Sequence, residues 1–381
     1  MTGSIVKKGA RWYIIIEQRD PETGERKRKW HSGFRTKKEA EAARTDLLSR
    51  MQRGLYVEPS KDRLADYLMD QWLPAIESTV RRSTFVRYRN GIRLHVIPYL
   101  GNVPLQEITP SMLNGLYSKL LVSGRADGGG GLAPNTVRNA HVVLHKALND
   151  AVRWGLLSKN PSEFADPPRV PMSTTMRIWN ADEVRAFLDS TETDRLQAAW
   201  VLAATTGMRR GEILGLRWDD IDLEARRLAV RRALVTSDYE LSFSPPKTAR
   251  GRRVVALDPE TVRVMRKHRV SQAEERLAMG DAYRDQDLVF CQEDGSPVHP
   301  DRFTKIFKNL VSATGLPSIR LHDVRHSYAT LALEAGVHPK VVSERLGHAS
   351  IGITLDTYSH VLPSLQEEAA ETVAAVIFNG G

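Results

Sequence analysis

The sequence predicts a mainly α-helical, multidomain α+β protein in which small β-sheets accompany helical segments. Three observations carry this. The chain has 381 residues, beyond the size at which a single core stops growing. Apolar residues recur at helical spacing from about Lys61 to Leu157. Runs rich in β-branched and aromatic residues are confined to the N-terminal region and to a stretch near 227–257.

The first segment, 1–57, reads as a small sheet plus one helix. RWYIIIEQ (11–18) is a strand, DPETG (20–24) a turn, and ERKRKWHSGF a second strand. Thr36 and Glu39 then form a capping box that opens a helix through about Arg50, with Ala40, Ala43 and Leu47 on one face. The second strand carries Arg26, Lys27, Arg28 and Lys29, a set suited to DNA, because a β-ribbon can enter a groove.

The second segment, 60–158, holds four helices: Leu64–Leu73, one starting near Ser83, Ser111–Leu121 and Pro134–Val152. Arg81, Arg82, Arg87, Arg89 and Arg93 crowd the second of these, which suits phosphate contacts. The stretch ADGGGGLAP (126–134) lacks the Gly-Lys-Ser/Thr ending and the preceding strand of a phosphate loop, so it reads as a flexible inter-helix loop. Residues 159–177, rich in proline and without periodicity, read as an inter-domain linker.

The third segment, 178–381, opens with Asn180 as N-cap of a helix over 181–190. A helix Arg195–Thr206 stops at Gly207. Strands near 227–235, 240–244 and 252–257 form a three-stranded sheet, and helices follow near 259–279, 300–314, 322–335 and 339–346.

Composition narrows the function. No run approaches the roughly 18 apolar residues of a membrane helix, and MTGSIVKKGARW lacks the apolar core of a signal peptide. Cys291 is the single cysteine, which excludes an internal disulfide and fits a cytoplasmic protein, on the nucleoid when DNA is bound. The net charge of +9 fits a polyanionic partner. Residues 1–60 hold 14 Lys/Arg against 8 Asp/Glu, so most of the excess positive charge lies at the N-terminus.

The chemistry sits in five strings: TTGMRRGEILGLRW (205–218), PPKTARGRRVV (245–255), LHDVRHSYA (321–329), LGHAS (346–350) and DTYSHV (356–361). Arg209 follows a helix stop, where its guanidinium can fork onto two phosphate oxygens, with Glu212 three residues on. His322 and Arg325 share a helix face. Lys247 lies in the turn between two predicted strands, and Arg250, Arg252 and Arg253 read as backbone phosphate contacts. His348 follows a helix that starts at Pro339 and stops at Gly347. Tyr358 lies in a polar stretch rather than on an apolar face, whereas Tyr328, one turn after Arg325, reads as core. His322 and His326 also stand at the H-x-x-x-H spacing of zinc sites, but Asp323 replaces the usual Glu and Arg325 would set a cation beside the metal. Two arginines, a lysine and two histidines can neutralise and protonate a phosphodiester, and a tyrosine can attack one, with no metal or cofactor.

These five strings, in this order, resemble the catalytic signature of the tyrosine recombinases, the phage-integrase family. The resemblance implies a site-specific recombinase that cuts and rejoins DNA through a 3′-phosphotyrosine, with Arg209, Lys247, His322, Arg325, His348 and Tyr358 as catalytic residues and Glu212 behind Arg209. It implies that 1–57 is an arm-type DNA-binding domain and 60–158 a core-binding domain. It implies four protomers on double-stranded attachment sites, integrating or excising a mobile element. A DNA-bending protein and an excisionase are the implied accessory partners. The amphipathic segment Leu365–Ile377 resembles the helix that packs on a neighbouring protomer. A type IB topoisomerase shares the chemistry, but the arm-like N-terminus and the short tail after Tyr358 oppose it. A non-catalytic DNA-binding regulator would not need Tyr358 or Lys247 in these settings.

Overall fold

The computed structural model describes residues 2–19, 26–52, 56–170, 177–238, 240–246 and 251–358, and, near the C-terminus, 370–371, 373–375 and 377–378. The chain divides into two compact units, Met1–Pro171 and Met172–Gly381.

The first unit begins with an antiparallel sheet of β1 (Thr2–Lys8), β2 (Arg11–Arg19) and β3 (Arg26–Phe34), in that order. Sequence reading missed β1, whose lysines, glycine and serine are poor strand formers. Cross-strand pairing from Thr2↔Glu17 to Lys8↔Arg11 makes it a strand. The predicted turn DPETG lies outside the described residues. α1 (Lys37–Gln52) starts as expected: Glu39 N donates to Thr36 Oγ1 at 3.2 Å, and Thr36 N to Glu39 Oε2 at 3.4 Å. Ala40 packs there on Ile14 and Ile16, the inward residues of β2. Of the basic residues on β3, Arg28 is exposed and its Nε lies 2.7 Å from Glu17.

The helical part of this unit is α2 (residues 64–77, with a π-helical turn over Tyr67–Trp72), α3 (Arg82–His95), α4 (Ile97–Leu100), α5 (Pro110–Ser123) and α6 (Pro134–Arg153). Their apolar faces share one core that includes Trp72, Ile92, Leu116 and Leu144. The glycine-rich connection between α5 and α6 is closed on itself, with Arg125 paired to Asp127 at 2.7 Å and Gly129 N donating to Asp127 at 2.9 Å. The expected linker begins later than the sequence suggested. Pro161–Phe164 form a 3-10 turn capped by Asn160, and Asn160, Ser162 and Ala165 are buried against the helices. Asn160 also donates to Asn149 Oδ1 at 2.8 Å and to the His145 carbonyl at 3.2 Å, contacts that a proline-rich sequence does not advertise.

In the second unit, α7 (Ala181–Ser190) has the predicted N-cap Asn180, which forms a capping box with Glu183. α8 (Gln197–Thr206) ends at Gly207 and is followed by α9 (Arg210–Leu214). The predicted single sheet is two sheets. β4 (Ile221–Asp222), β5 (Arg227–Val230) and β8 (Arg253–Ala256) form one, and β6 (Ala233–Ser237) pairs with β7 (Glu240–Ser244) in the other. The break between β5 and β6 falls at Arg231 and Arg232, where Arg232 Nη1 lies 2.6 Å from Asp220. α10 (Pro259–Met279), α11 (Pro300–Thr314), α12 (Leu321–Glu334) and α13 (Pro339–Leu346) match expectation. α14 (Ile351–Tyr358) is an addition. Most of Leu365–Ile377 lies outside the described residues.

Candidate active site

Local chain geometry places the first arginine. Gly207 sits at φ +62°, where any other L-residue is strained, and a Cβ on it would lie 2.6 Å from the Tyr328 ring and 2.7 Å from Leu346. The left-handed turn ends α8 and turns Arg209 into the N-cap position of α9. Glu212, at the third position of α9, folds back. Its Oε2 accepts from Arg209 N at 3.0 Å and its Oε1 from Arg209 Nη1 at 2.8 Å.

The rest of the site converges on the C-terminal end of α13. The last carbonyls of a helix lack intrahelical partners and carry partial negative charge, so they attract cations. Here three consecutive carbonyls each take one guanidinium. The Arg345 carbonyl accepts from Arg253 Nε at 2.5 Å, Leu346 from Arg325 Nη2 at 2.8 Å, and Gly347 from Arg209 Nη2 at 3.3 Å. Arg325 also donates from Nη1 to the Gly207 carbonyl at 2.7 Å, which ties α12 to the end of α8. His348 comes next in the chain, with Nδ1 2.8 Å from Thr354 Oγ1. His322 lies one turn before Arg325 on α12 and lines a cavity of about 410 Å³ with Arg325, Arg210 and Thr304.

Tyr358 closes the group. It lies at the end of α14, 1% exposed, among Ala329, Leu333, Val342 and Leu346. This corrects the expectation of a polar setting: the residues around it in the chain are polar, but the helix turns its ring inward. Its hydroxyl lies 2.8 Å from His326 Nδ1. Tyr328, read as core, is partly buried, and its hydroxyl accepts from Arg345 Nε at 2.5 Å.

Crowded cations and burial set the protonation states. Burial, and then the charge of Arg209, lower Arg325 to about 9, which leaves it charged at neutral pH. Burial, then Arg325 and Arg209, pull His322 below its usual value and bring His348 to about 4. His326 is likewise lowered to about 4, by burial first and His322 second. Burial pushes Tyr358 up to about 12, against the opposing pull of Arg325. Burial raises the Glu212 carboxyl, and the hydrogen bond and charge of Arg253 with the charge of Arg209 outweigh it, so the net shift is downward.

Thus Arg209, Glu212, His322, Arg325, His348 and Tyr358 are brought together. Lys247 and Arg250 lie outside the described residues. Their flanking strands, β7 and β8, belong to different sheets and do not pair with each other as the predicted single sheet required. Arg252 is exposed. Arg253, expected on the DNA backbone, has a side chain 7% exposed that bonds Glu212 through Nη2 at 2.8 Å and the Arg345 carbonyl through Nε at 2.5 Å, so it is held within the site behind Arg209. Arg81, Arg82 and Arg87 are exposed on or beside α3, with the Arg87 guanidinium 5.7 Å from the Tyr88 ring centroid, and Arg89 is half-buried. Sequence reading missed His326 as a site residue. It directly follows Arg325 and stands one turn from His322, yet spacing alone suggested only a metal.

Comparison with known proteins gives the class. Residues 177–364 match the phage integrase family, 66–121 the phage integrase N-terminal SAM-like domain, and 4–51 the arm DNA-binding domain. The chain is 32% identical over 392 residues to a XerC-like tyrosine recombinase of Caldanaerobacter subterraneus subsp. tengcongensis, covering 97% of each chain. It is 27% identical to the ICEBs1 integrase of Bacillus subtilis, covering 92% of this chain and 93% of that one. Its fold is similar to the Tn1549 transposon integrase in complex with a circular intermediate DNA, at TM-score 0.67 and 20% identity, over 82% of this chain and 99% of that one. It is also similar to a lambda integrase tetramer bound to a Holliday junction, at TM-score 0.55 and 17% identity, over 92% and 93%. The class is that of enzymes that break and rejoin DNA strands. Within it, the chain belongs to the phage integrase family of tyrosine recombinases and is a site-specific recombinase.

Proposed function

We propose that Tyr358 is the nucleophile and that Arg209 and Arg325 hold the two non-bridging oxygens of the scissile phosphate. His348 and His322 complete the phosphate pocket, and Lys247, with His322, protonates the departing 5′ oxygen. Glu212 orients Arg209. The observation that carries this reading is the end of α13: its carbonyls hold Arg209 and Arg325 side by side, and His348 and Tyr358 arrive from the next turn and the next helix. Two preorganised guanidiniums stabilise charge that grows in the transition state, each typically contributing roughly 10²–10³ in rate. The Tyr358 oxygen bonds to phosphorus as the P–O5′ bond breaks. The resulting 3′-phosphotyrosine conserves the ester, so a 5′-hydroxyl from a partner strand reverses the step without ATP.

In this reading residues 1–57 grip arm sites and residues 60–158 the core site, with Arg28, Arg81, Arg82, Arg87, Arg89 and Arg252 on phosphates. Four protomers act on two attachment sites of a mobile element, with Leu365–Ile377 between neighbours and a DNA-bending protein and an excisionase as accessory partners. The test is a suicide substrate nicked near the cleavage point, analysed on a denaturing gel. Tyr358→Phe should bind DNA nearly as well as the unaltered enzyme and form no covalent complex. A covalent complex with Tyr358→Phe overturns the assignment.

A further inference from the structure

We infer that His326 is a catalytic residue that accepts the Tyr358 proton as the phenol attacks, and returns it when the strand is resealed. The inference rests on the reading of Tyr358 as nucleophile. To attack phosphorus, the hydroxyl must present a lone pair forward and direct its proton elsewhere. His326 Nδ1 lies 2.8 Å from that oxygen, within the reach a general base needs. The phenol ring is held by apolar packing, so this geometry is a fixed one.

Other groups at hand are unsuited. Arg325 and Arg209 are cations with no acceptor atom. His348 Nδ1 is engaged by Thr354 at 2.8 Å. His322 stands one turn earlier on α12, its ring centroid 5.1 Å from that of His326, on the side that lines the cavity with Arg325. His326 is therefore the neutral acceptor in contact with the hydroxyl among the described residues. Tyr358 is a phenol at neutral pH, and burial raises it further, to about 12, so its attack needs an acceptor for the proton. Burial first, and then His322 and Arg325, lower the basicity of His326 in the free protein, while Asp323 opposes them. A phosphodiester seated on Arg209 and Arg325 offsets the Arg325 charge that acts on His326, so the base is strengthened when substrate is in place.

The step balances. The Tyr358 Oη–P bond forms and P–O5′ breaks; the phenolic proton goes to His326 Nδ1, and the 5′ oxygen takes its proton from the general acid. On resealing, the incoming 5′-hydroxyl gives its proton back to that acid, P–Oη breaks, and the His326 imidazolium reprotonates the phenol.

The test uses full-length enzyme with His326→Ala and His326→Asn beside Tyr358→Phe. Asparagine places Oδ1 near the position of Nδ1, so it accepts the hydrogen bond but cannot carry the proton. Both His326 variants should form the covalent complex on nicked DNA roughly 10²–10⁴-fold more slowly. A second substrate carries 4-nitrophenol on the 3′ phosphate in place of tyrosine, and the reaction read is joining to a 5′-hydroxyl strand, in a Tyr358→Phe background. Nitrophenolate departs without a proton, so the His326 variants should join this ester within a few-fold of the background enzyme. Near-normal cleavage by His326→Asn would mean that the histidine only positions the hydroxyl. Equal loss of nitrophenyl joining would mean that it serves the phosphate pocket or the fold. Either result overturns the inference, whereas covalent complexes with Tyr358→Phe would overturn the underlying reading instead.

Discussion

Arg209 and Arg253 bind the same carboxylate, yet the proposed function gives them opposite roles, and alanine at each position separates them. Glu212 is 4% exposed and meets Arg253 through two bonds, Nη2–Oε2 at 2.8 Å and Nη1–Oε1 at 3.2 Å. The Arg253 side chain is 7% exposed and that of Arg209 is 40% exposed. Removing one partner of a buried ion pair costs about 3–5 kcal/mol. Because Arg209 stays on Glu212 in Arg253→Ala, the lower end applies, about 3 kcal/mol. A unit of this size shifts its melting temperature by roughly 2–4 °C per kcal/mol, so the transition of the catalytic unit should fall by roughly 6–12 °C. Arg209→Ala removes a half-exposed pair worth about 1 kcal/mol or less, a shift of a few degrees. Activity should rank the other way. Covalent-complex formation, measured well below both melting points, should fall roughly 10²–10³-fold in Arg209→Ala and far less in Arg253→Ala. Calorimetry and the suicide-substrate gel provide both numbers on the same preparations. Equal melting shifts, or an Arg253→Ala enzyme that melts normally and fails to cleave, would refute the division of labour.

Three further outcomes follow from the same geometry. If Lys247 is the general acid, Lys247→Ala should be rescued on DNA whose 5′ bridging oxygen is replaced by sulfur, because that leaving group needs no proton; Arg209→Ala and Arg325→Ala should not be rescued, and persistent impairment of Lys247→Ala would make it a phosphate contact. Deleting residues 1–57 should preserve cleavage of a core site and abolish binding to separate arm sites, which a gel-shift assay on the two DNAs reads directly. His326 and His348 have folded values near 4 against an ordinary 6.5, so the unfolded chain binds protons first as pH falls. The stability they contribute is present above 6.5 and is lost between 6.5 and about 4; the melting temperature should decline across that window, and His326→Asn should flatten the decline.

Local interactions were legible in the sequence because their partners lie a few residues apart. The capping box at Thr36, the N-cap at Asn180, the stop at Gly207 and the start at Pro339 each depend on contacts within one helical turn. Arg209, Arg325, His348 and Tyr358 stood out in the sequence because their short strings resemble those of the tyrosine recombinases, and the structure brings the four together. What only the tertiary structure decided depends on partners far away in the chain. Arg209, Arg253 and Arg325 reach the end of α13 across 138, 92 and 21 residues. Which arginine is buried on Glu212 and which stays half-exposed follows from that convergence, and no spacing encodes it. β1 became a strand by pairing with β2, and the β5–β6 run was cut by the arginines that meet Asp220. Tyr358, polar by its neighbours in sequence, became buried because α14 turns its ring onto α12 and α13, where His326 meets its hydroxyl. Local order follows from propensity and capping, whereas burial and charge pairing are properties of the packed whole.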